Sequence, residues 1–163
     1  MLSERTPQLE PVSLTDLVNE TQTLMESELL RNGVMVEIAP ANNVPTVNAV
    51  RIELQQVLIN LITNAVQAML ASPEDHRRIS VTIEPAENQS VSVKVLDTGP
   101  GLSPENLKNL FKPFCTTKAT GLGMGLAICR SMLEARGGTL TAGNHAEGGA
   151  LFEMIIPIEA AHE

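Results

Sequence analysis

Two asparagines four residues apart stand out in a stretch of helical periodicity. Apolar residues recur at helical spacing between about residues 50 and 70, and the opposite stripe consists mostly of amides: Glu53, Gln56, Asn60, Asn64 and Gln67. Residues four apart share one face of a helix, so the carboxamides of Asn60 and Asn64 are expected about one turn from each other. Amide oxygens suit a hard cation or polar ligand atoms. A solvated face that happens to contain amides is the alternative.

A second motif, Asp97-Thr98-Gly99-Pro100-Gly101-Leu102, follows a predicted strand. A carboxylate at a strand end can accept a hydrogen bond from a ligand amino group. Glycines beside it allow a ligand to approach the backbone closely. Asp-x-Gly is also an ordinary turn signal, and that interpretation stays open for the motif alone.

Two further motifs could bind phosphate. The run Gly121-Leu122-Gly123-Met124-Gly125-Leu126 leads into a helix, where exposed N–H groups form an anion site. It is not a dinucleotide fingerprint, because no βαβ unit precedes it, and the chain has no Walker A motif. Upstream, Phe111 and Phe114 could dock a mobile segment while Lys118 offers its charge to a terminal phosphate. A small apolar cluster under a loop is the alternative there.

The elements that must position these motifs follow from periodicity and turn signals. Helices are predicted from Leu14 to Arg31, from Val50 to Leu70 and from Met124 to Ala135. Strands are predicted at residues 34–38, 79–83, 91–95, 139–142 and 150–156, the second and third of them as a hairpin. The fold class is therefore α/β: a two-layer sandwich with a mixed β-sheet covered on one face by three helices. The long Gly- and Pro-containing stretch from Asp97 to Gly123 is typical of a functional loop.

In this order and spacing, the four motifs resemble the N, G1, F and G2 boxes of bacterial sensor histidine kinases. The corresponding segments are Asn60–Ala65, Asp97–Gly101, Phe111–Lys118 and Gly121–Leu126. The resemblance covers about residues 11–158 and implies the Bergerat ATP-binding fold with a mobile ATP lid, shared with gyrase, MutL and heat-shock chaperones. The sequence around Phe114–Lys118 and Ile128–Ser131 is similar to the oxygen-sensing and nitrogen-regulating kinases.

The resemblance also implies ligands, ATP and Mg²⁺, and a role for each matching residue. Asn64 would ligate Mg²⁺, with Asn60 on the same face of the catalytic site, and Asp97 would bind the adenine amino group. Lys118 would approach the γ-phosphate. The other implied nucleotide-binding residues are Gly99, Gly101, Thr117, Gly121, Leu122, Gly123, Gly125 and Leu126.

The chain departs from the family pattern after the second N-box asparagine. Many members carry a basic residue and then an aromatic where this chain has Gln67 and Ala68. Adenine packing is therefore expected from apolar neighbours such as Ile62 or Leu126.

A phosphoacceptor histidine in a helical hairpin is not recognisable in this sequence. His76, His145 and His162 all fall outside such a hairpin, so each is interpreted as an exposed polar residue. We expect residues 1–12 to be a linker from a preceding dimerisation hairpin, 13–158 the catalytic and ATP-binding domain, and 159–163 a tail. The domain alone is expected to be a monomer.

Composition narrows the partners and the compartment. Eleven basic against nineteen acidic residues give a net charge of −8, which disfavours binding to nucleic-acid phosphates. Three Phe without Tyr or Trp offer no stacking platform for bases. The two cysteines, Cys115 and Cys129, fit a reducing cytoplasmic setting, and no direct membrane contact is expected of this domain. A membrane anchor, where one exists, would belong to another part of a longer parent protein.

The function that the resemblance implies is transfer of the γ-phosphoryl group of Mg·ATP to a histidine on a separate dimerisation domain, with a response regulator as indirect partner. In the hydrolysing members of the superfamily a glutamate activates water where this chain has Asn60, so little ATPase activity is expected. The alternatives are an anti-sigma-factor-like protein serine kinase and a non-catalytic nucleotide-sensing module.

Overall fold

The computed structural model describes residues 8–112 and 122–159. In chain order its elements are β1 (Glu10–Val12), α1 (Leu14–Leu24), α2 (Glu26–Arg31), β2 (Met35–Pro40), β3 (Val47–Ala49), α3 (Arg51–Ala68), a 3₁₀ turn (Glu74–His76), β4 (Arg78–Ala86), β5 (Ser90–Asp97), α4 (Pro104–Asn109), α5 (Leu122–Ala135), β6 (Thr139–Asn144) and β7 (Ala150–Pro157).

Five strands form one mixed sheet in the order β2-β4-β5-β7-β6. The pair β2–β4 is parallel and the other three pairs are antiparallel. The predicted hairpin is confirmed: β4 and β5 pair from Ile79 opposite Asp97 to Ala86 opposite Ser90. Its turn places Asn88 and Gln89 at positive φ, a conformation that asparagine tolerates well. The same sheet carries Asp97 at the end of its central strand.

The core lies between one face of this sheet and helices α1, α3 and α5. Alternate residues of the strands point into it and are buried, among them Val81, Val95 and Phe152. The opposite sheet face is largely polar, with Lys94 paired to Glu84 and Ser92 donating to Glu153. The predicted two-layer α/β sandwich with three covering helices is confirmed. None of the helices in the described part of the chain has the length and apolar character of a membrane span.

The first predicted helix is divided in two at Met25. Upstream of the break, the Thr21 hydroxyl donates to the Leu17 carbonyl at 2.7 Å and the Thr23 hydroxyl donates to the Asn19 carbonyl at 3.1 Å. Such bonds to the preceding turn bend helices. The continuous helix predicted from Leu14 to Arg31 is therefore wrong at this point.

Two short strands were not predicted. The strands β1 and β3 pair antiparallel, with Val12 opposite Val47, and both valines are buried. Residues 10–12 thus form a strand inside the segment expected to be a linker. Three residues are too few to show a period, and the partner lies more than thirty residues away. The boundaries of the domain stay a prediction.

Helix α4, in the described part of the long stretch after Asp97, was not predicted. The Ser103 side chain caps α4 by accepting from the Asn106 N–H at 3.0 Å, and Pro104 occupies the first turn.

Helix α3 was located correctly but is shorter at both ends than predicted, since Val50 and Met69 are its cap residues.

Candidate functional site

Asp97 ends the central strand β5 with a carboxylate held by backbone groups. Its Oδ1 accepts hydrogen bonds from the N–H of Gly99 at 2.8 Å and of Ala150 at 3.2 Å. The residue is only 2% exposed. Burial raises the pKa of the Asp97 carboxyl above its ordinary value, while the two N–H donors act in the opposite direction. Within the described ranges Oδ2 accepts no hydrogen bond, so one acceptor of fixed orientation is left for a ligand.

The loop after Asp97 is fastened to the neighbouring strand β4. The hydroxyl oxygen of Thr98 accepts from the Arg78 N–H at 3.0 Å, and the same hydroxyl donates to the His76 carbonyl. A Cβ on Gly99 would stand 3.2 Å from the carbonyl oxygen of Ala68, at the end of α3. Glycine at this position therefore lets the loop lie against the end of the helix that carries the two asparagines.

The turn between β6 and β7 contributes residues to the site that sequence reasoning did not assign. Gly149 has φ +92°, and a Cβ there would stand 1.9 Å from the carbonyl oxygen of Asp97. Ala150 supplies one of the N–H donors to Oδ1. The adjacent glycines Gly148 and Gly149, just before the strand predicted at residues 150–156, were the available signal in the sequence.

Asn60 and Asn64 lie on α3, and both are half-buried. The Asn60 Nδ2 group donates to the Gln56 carbonyl at 3.1 Å and to the Cys129 Sγ atom at 3.3 Å. Burial raises the pKa of the Cys129 thiol, and the hydrogen bond from Asn60 opposes that effect. The Asn64 carboxamide takes no hydrogen bond from the residues that the structure describes.

Helix α5 begins beside Asn60. A Cβ on Gly125 would stand 3.1 Å from the Asn60 Oδ1 atom, so glycine permits the close approach of the two helices. The 14-residue helix has Gly123 and Gly125 in its first turn, and the N–H groups of a first helical turn have no partner within the helix. Leu126 is buried in the core below. The structure thus brings the glycine-rich start of α5 to the amide face of α3.

Three of the predicted site residues, Thr117, Lys118 and Gly121, fall outside the described residues, as does the predicted lid segment around them. Among the predicted residues that the structure does describe, Asp97 contacts Gly99, and Asn60 contacts Gly125. Gly101 lies against Asn144 instead, and the Asn64 carboxamide has no hydrogen bond to another described residue.

The donor set around α3 suits a hard cation with few protein ligands. Residues 8–112 and 122–159 contain no group of three or more His, Cys, Asp or Glu side chains that could hold a metal ion. The half-buried Asn64 carboxamide, without a protein partner in those ranges, fits a Mg²⁺ that takes its remaining oxygen ligands from phosphate and water.

A small apolar cavity of about 20 Å³ lies between the beginning of α3 and the end of α5, away from the contact of Asn60 with Gly125. Val50, Leu54 and Met132 contribute to its lining, along with the ion-paired Glu53 and Arg136. It has room for about one water molecule. None of the predicted site residues in the described ranges lines it.

The chain matches known proteins over most of its length. The family model described as histidine kinase-, DNA gyrase B- and HSP90-like ATPase matches residues 49–160. The C4-dicarboxylate transport sensor protein DctS of Rhodobacter capsulatus is 36% identical over 96% of this chain and 24% of its own length. The sensor protein FixL of Bradyrhizobium diazoefficiens is 39% identical over 89% of this chain and 28% of its own length. The chain thus spans about a quarter of these relatives.

Solved structures agree with the sequence relatives. The catalytic domain of histidine kinase ThkA superposes with a TM-score of 0.82 at 32% identity, covering 93% of this chain and 97% of that one. Full-length ShkA in complex with AMPPNP gives a TM-score of 0.81 at 28% identity over 99% of this chain and 33% of its own. ThkA in complex with response regulator protein TrrA gives 0.76 at 30% identity, over 91% of this chain and 41% of its own. The predicted relationship is confirmed: this chain belongs to the histidine kinase-, DNA gyrase B- and HSP90-like ATPase family, as a catalytic domain of the sensor histidine kinase type.

Proposed function

We propose that this chain binds Mg·ATP and transfers the γ-phosphoryl group to a histidine on a separate dimerisation domain of a two-component sensor kinase. The observation that carries the proposal is the fixed carboxylate of Asp97. Its Oδ1 accepts from two backbone N–H groups, and its Oδ2, which no described residue occupies, is available to a ligand donor. An adenine amino group is a donor of the right kind.

The start of α5 provides a place for the phosphates. Its first-turn N–H groups, which have no partner within the helix, and the helix dipole favour negative charge. Gly125 allows the helix to begin against Asn60. Lys118 would approach the γ-phosphate from the predicted lid, along with Thr117 and Gly121. Leu126 on α5 and Ile62 on α3 stay the proposed apolar neighbours of the base, and both side chains belong to the buried core.

Asn64 would hold Mg²⁺ through its carboxamide oxygen, with Asn60 on the same helix face. When bound, the ion would neutralise charge that develops on the phosphoryl oxygens. The residues of this chain bind and orient the nucleotide, which is most of what phosphoryl transfer requires of a protein. Asn60 cannot act as a general base because an amide does not take up a proton at neutral pH, so activation of water is not built into α3.

The acceptor domain and a response regulator are proposed as partners because DctS and FixL are named sensor proteins and the histidine kinase ThkA has been solved with a response regulator. Residues 1–12 would lead from the acceptor hairpin into the domain. A cytoplasmic location follows from the use of ATP and is part of the proposal. The similarity to oxygen-sensing and nitrogen-regulating kinases stays a prediction about the subfamily, since relatives as different in name as FixL and DctS both match.

Calorimetric titration of ADP and a non-hydrolysable ATP analogue, with and without Mg²⁺, tests the binding site. Wild-type binding in the range of about −4 to −8 kcal/mol is expected. Asp97→Asn should abolish it, Asn64→Ala should remove its Mg²⁺ dependence, and Asn19→Ala, an exposed amide on α1, should leave it unchanged. Absence of nucleotide binding by the folded wild-type chain would overturn the proposal.

Transfer is tested by adding labelled ATP and a histidine-containing dimerisation hairpin from a related sensor kinase. Acid-labile label on the hairpin supports the proposal. Acid-stable label on a serine would replace it with a serine kinase, and rapid ATP turnover without acceptor would replace it with an ATPase. Nucleotide binding without transfer to any acceptor would leave a nucleotide-sensing module.

A further inference from the structure

Asn144, the last residue of β6, makes two hydrogen bonds to a single residue of the loop after Asp97. Its Oδ1 accepts from the Leu102 N–H at 2.7 Å, and its Nδ2 donates to the Leu102 carbonyl at 2.8 Å. A carboxamide that satisfies both polar groups of one residue reproduces the pairing of a neighbouring strand. The side chain therefore holds the loop as a strand edge would.

Besides these two bonds, this end of the loop is held by the side chain of Leu102, which is partly buried and packs against the hydrophobic core. Within residues 8–112 and 122–159, no backbone-to-backbone hydrogen bond involves residues 98–102. Its beginning is fixed by Asp97 and Thr98, as described above, and its end is fixed by Asn144. The two glycines of the motif lie between these points of attachment.

Gly101 shows how tightly the contact is built. It has φ +84°, and a Cβ there would stand 2.8 Å from the Asn144 Oδ1 atom. Asn144 also pairs in register with Ala150, whose N–H donates to Asp97 Oδ1. One pair of facing residues on β6 and β7 thus fixes both the carboxylate and the far end of the loop.

We propose that Asn144 is a positioning residue for the nucleotide: it sets the backbone of Gly99–Gly101 relative to the Asp97 carboxylate, and through it the wall that the base meets. The inference rests on the proposed nucleotide-binding function. Asn144 is exposed and belongs to no apolar cluster. Its loss should therefore affect the loop far more than the stability of the fold.

The test compares Asn144→Ala and Asn144→Asp with Thr141→Ala, an exposed position on the same strand. In Asn144→Asp the side chain keeps its shape and the oxygen that accepts from the Leu102 N–H. The Nδ2 donor is replaced by a second oxygen, which faces the Leu102 carbonyl and cannot donate to it. We expect both Asn144 variants to lose about tenfold in ADP affinity and Thr141→Ala to lose none. The preference for ADP over IDP, which lacks the amino group, should fall in the same two variants, because a general loss of packing would weaken both ligands equally.

A measurement without ligand tests the hydrogen bonds between Asn144 and Leu102 independently of nucleotide binding. Hydrogen exchange at the Leu102 amide should be slow in the wild-type chain and in Thr141→Ala, and at least tenfold faster in Asn144→Ala. Unchanged ADP affinity and ADP-to-IDP preference in Asn144→Ala and Asn144→Asp would overturn the positioning role. Aspartate binding like wild type while alanine does not would also overturn it, since shape alone would then suffice. A wild-type chain that protects Leu102 but binds no ADP would instead overturn the proposed function, and the role of Asn144 in binding with it.

Discussion

The side-chain amide of Asn60 on α3 donates a hydrogen bond to the thiol of Cys129 on α5, with 3.3 Å between Nδ2 and Sγ. Because Nδ2 is also bound to the Gln56 carbonyl, the orientation of the whole carboxamide is fixed. Its oxygen is thereby directed toward Gly125 at the start of α5. The buried thiol of Cys129, which is not itself a predicted site residue, thus helps orient Asn60, a predicted catalytic residue.

Substitutions at Cys129 should separate this orientation from core packing. Cys129→Val fills the site but removes the acceptor, so we expect a stability change below about 1.5 kcal/mol and a loss of several-fold in Mg²⁺-dependent ADP affinity. Cys129→Ser keeps an acceptor but leaves space, so about 1–2 kcal/mol of stability should be lost while affinity is retained. Urea unfolding and calorimetry on both variants provide the measurement. Equal affinities in the two variants would contradict the role of the thiol.

The contribution of Asp97 to the free energy of unfolding should decrease as the pH rises. Burial is the largest effect on its pKa and raises it, so between about pH 4 and the higher pKa of the folded state the folded chain binds more protons than the unfolded one. The free energy of unfolding contributed by Asp97 therefore decreases as pH rises through that window. Asp97→Asn should gain stability relative to wild type as the pH increases, while losing nucleotide binding. Denaturation at a series of pH values tests this, and a gap that narrows with rising pH would contradict it.

The two adjacent glycines of the β6–β7 turn should respond differently to alanine. Both have positive φ, +108° at Gly148 and +92° at Gly149, but a Cβ on Gly148 meets no atom within 4 Å, whereas one on Gly149 would collide with the Asp97 carbonyl. Gly148→Ala should cost about 1–2 kcal/mol from backbone strain alone. Gly149→Ala should cost more and also weaken ADP binding, because Asp97 must move. Equal losses of stability and affinity in the two variants would show that the collision is relieved without disturbing Asp97.

Arg77 and Arg78 form a matched pair for stability. The guanidinium of Arg77 donates to the carbonyls of Leu70, Ser72 and Asn32 at 2.8–3.1 Å and is largely buried. Arg77→Met should cost about 2–4 kcal/mol, because those carbonyls at the ends of α2 and α3 lose charged donors.

Arg78, by contrast, is half exposed and lies 3.8 Å from Glu37. Arg78→Met should change the free energy of unfolding by less than about 0.5 kcal/mol. Thermal unfolding of the two single variants measures both costs, and the melting temperature of Arg77→Met should be clearly the lower. Similar melting temperatures would mean that the Arg77 contacts are replaced by water without cost.

The parts of this molecule that sequence reasoning predicted are those with local signals. The hairpin β4–β5, helix α3 and the placement of Asp97 at a strand end all follow from period and turn residues within a short window. The two asparagines share a helix face because four residues make about one turn. Four motifs in a fixed order then indicated the family.

The parts that were missed depend on contacts distant in sequence. Asn144 and Leu102 are 42 residues apart, and nothing in the local sequence of either predicts their pairing. Ala150 acts through its backbone N–H, which every residue except proline possesses, so its type carries no information. Helix α4 was different: Ser103-Pro104 is a helix-start signal, and it was overlooked because the whole loop was interpreted as irregular.

Strand β2 lies at the edge of the sheet, and its parallel pairing with β4 has a consequence for the order of folding. The connection between the two strands contains β3 and all of α3, so their pairing waits until that segment is in place, whereas β4 and β5 close over three residues. No residue of β2 is fully buried, so its departure exposes little of the core. Transient opening of the sheet should therefore begin at β2 and leave β5, β7 and β6 paired, so that the nucleotide site remains assembled in partly unfolded molecules.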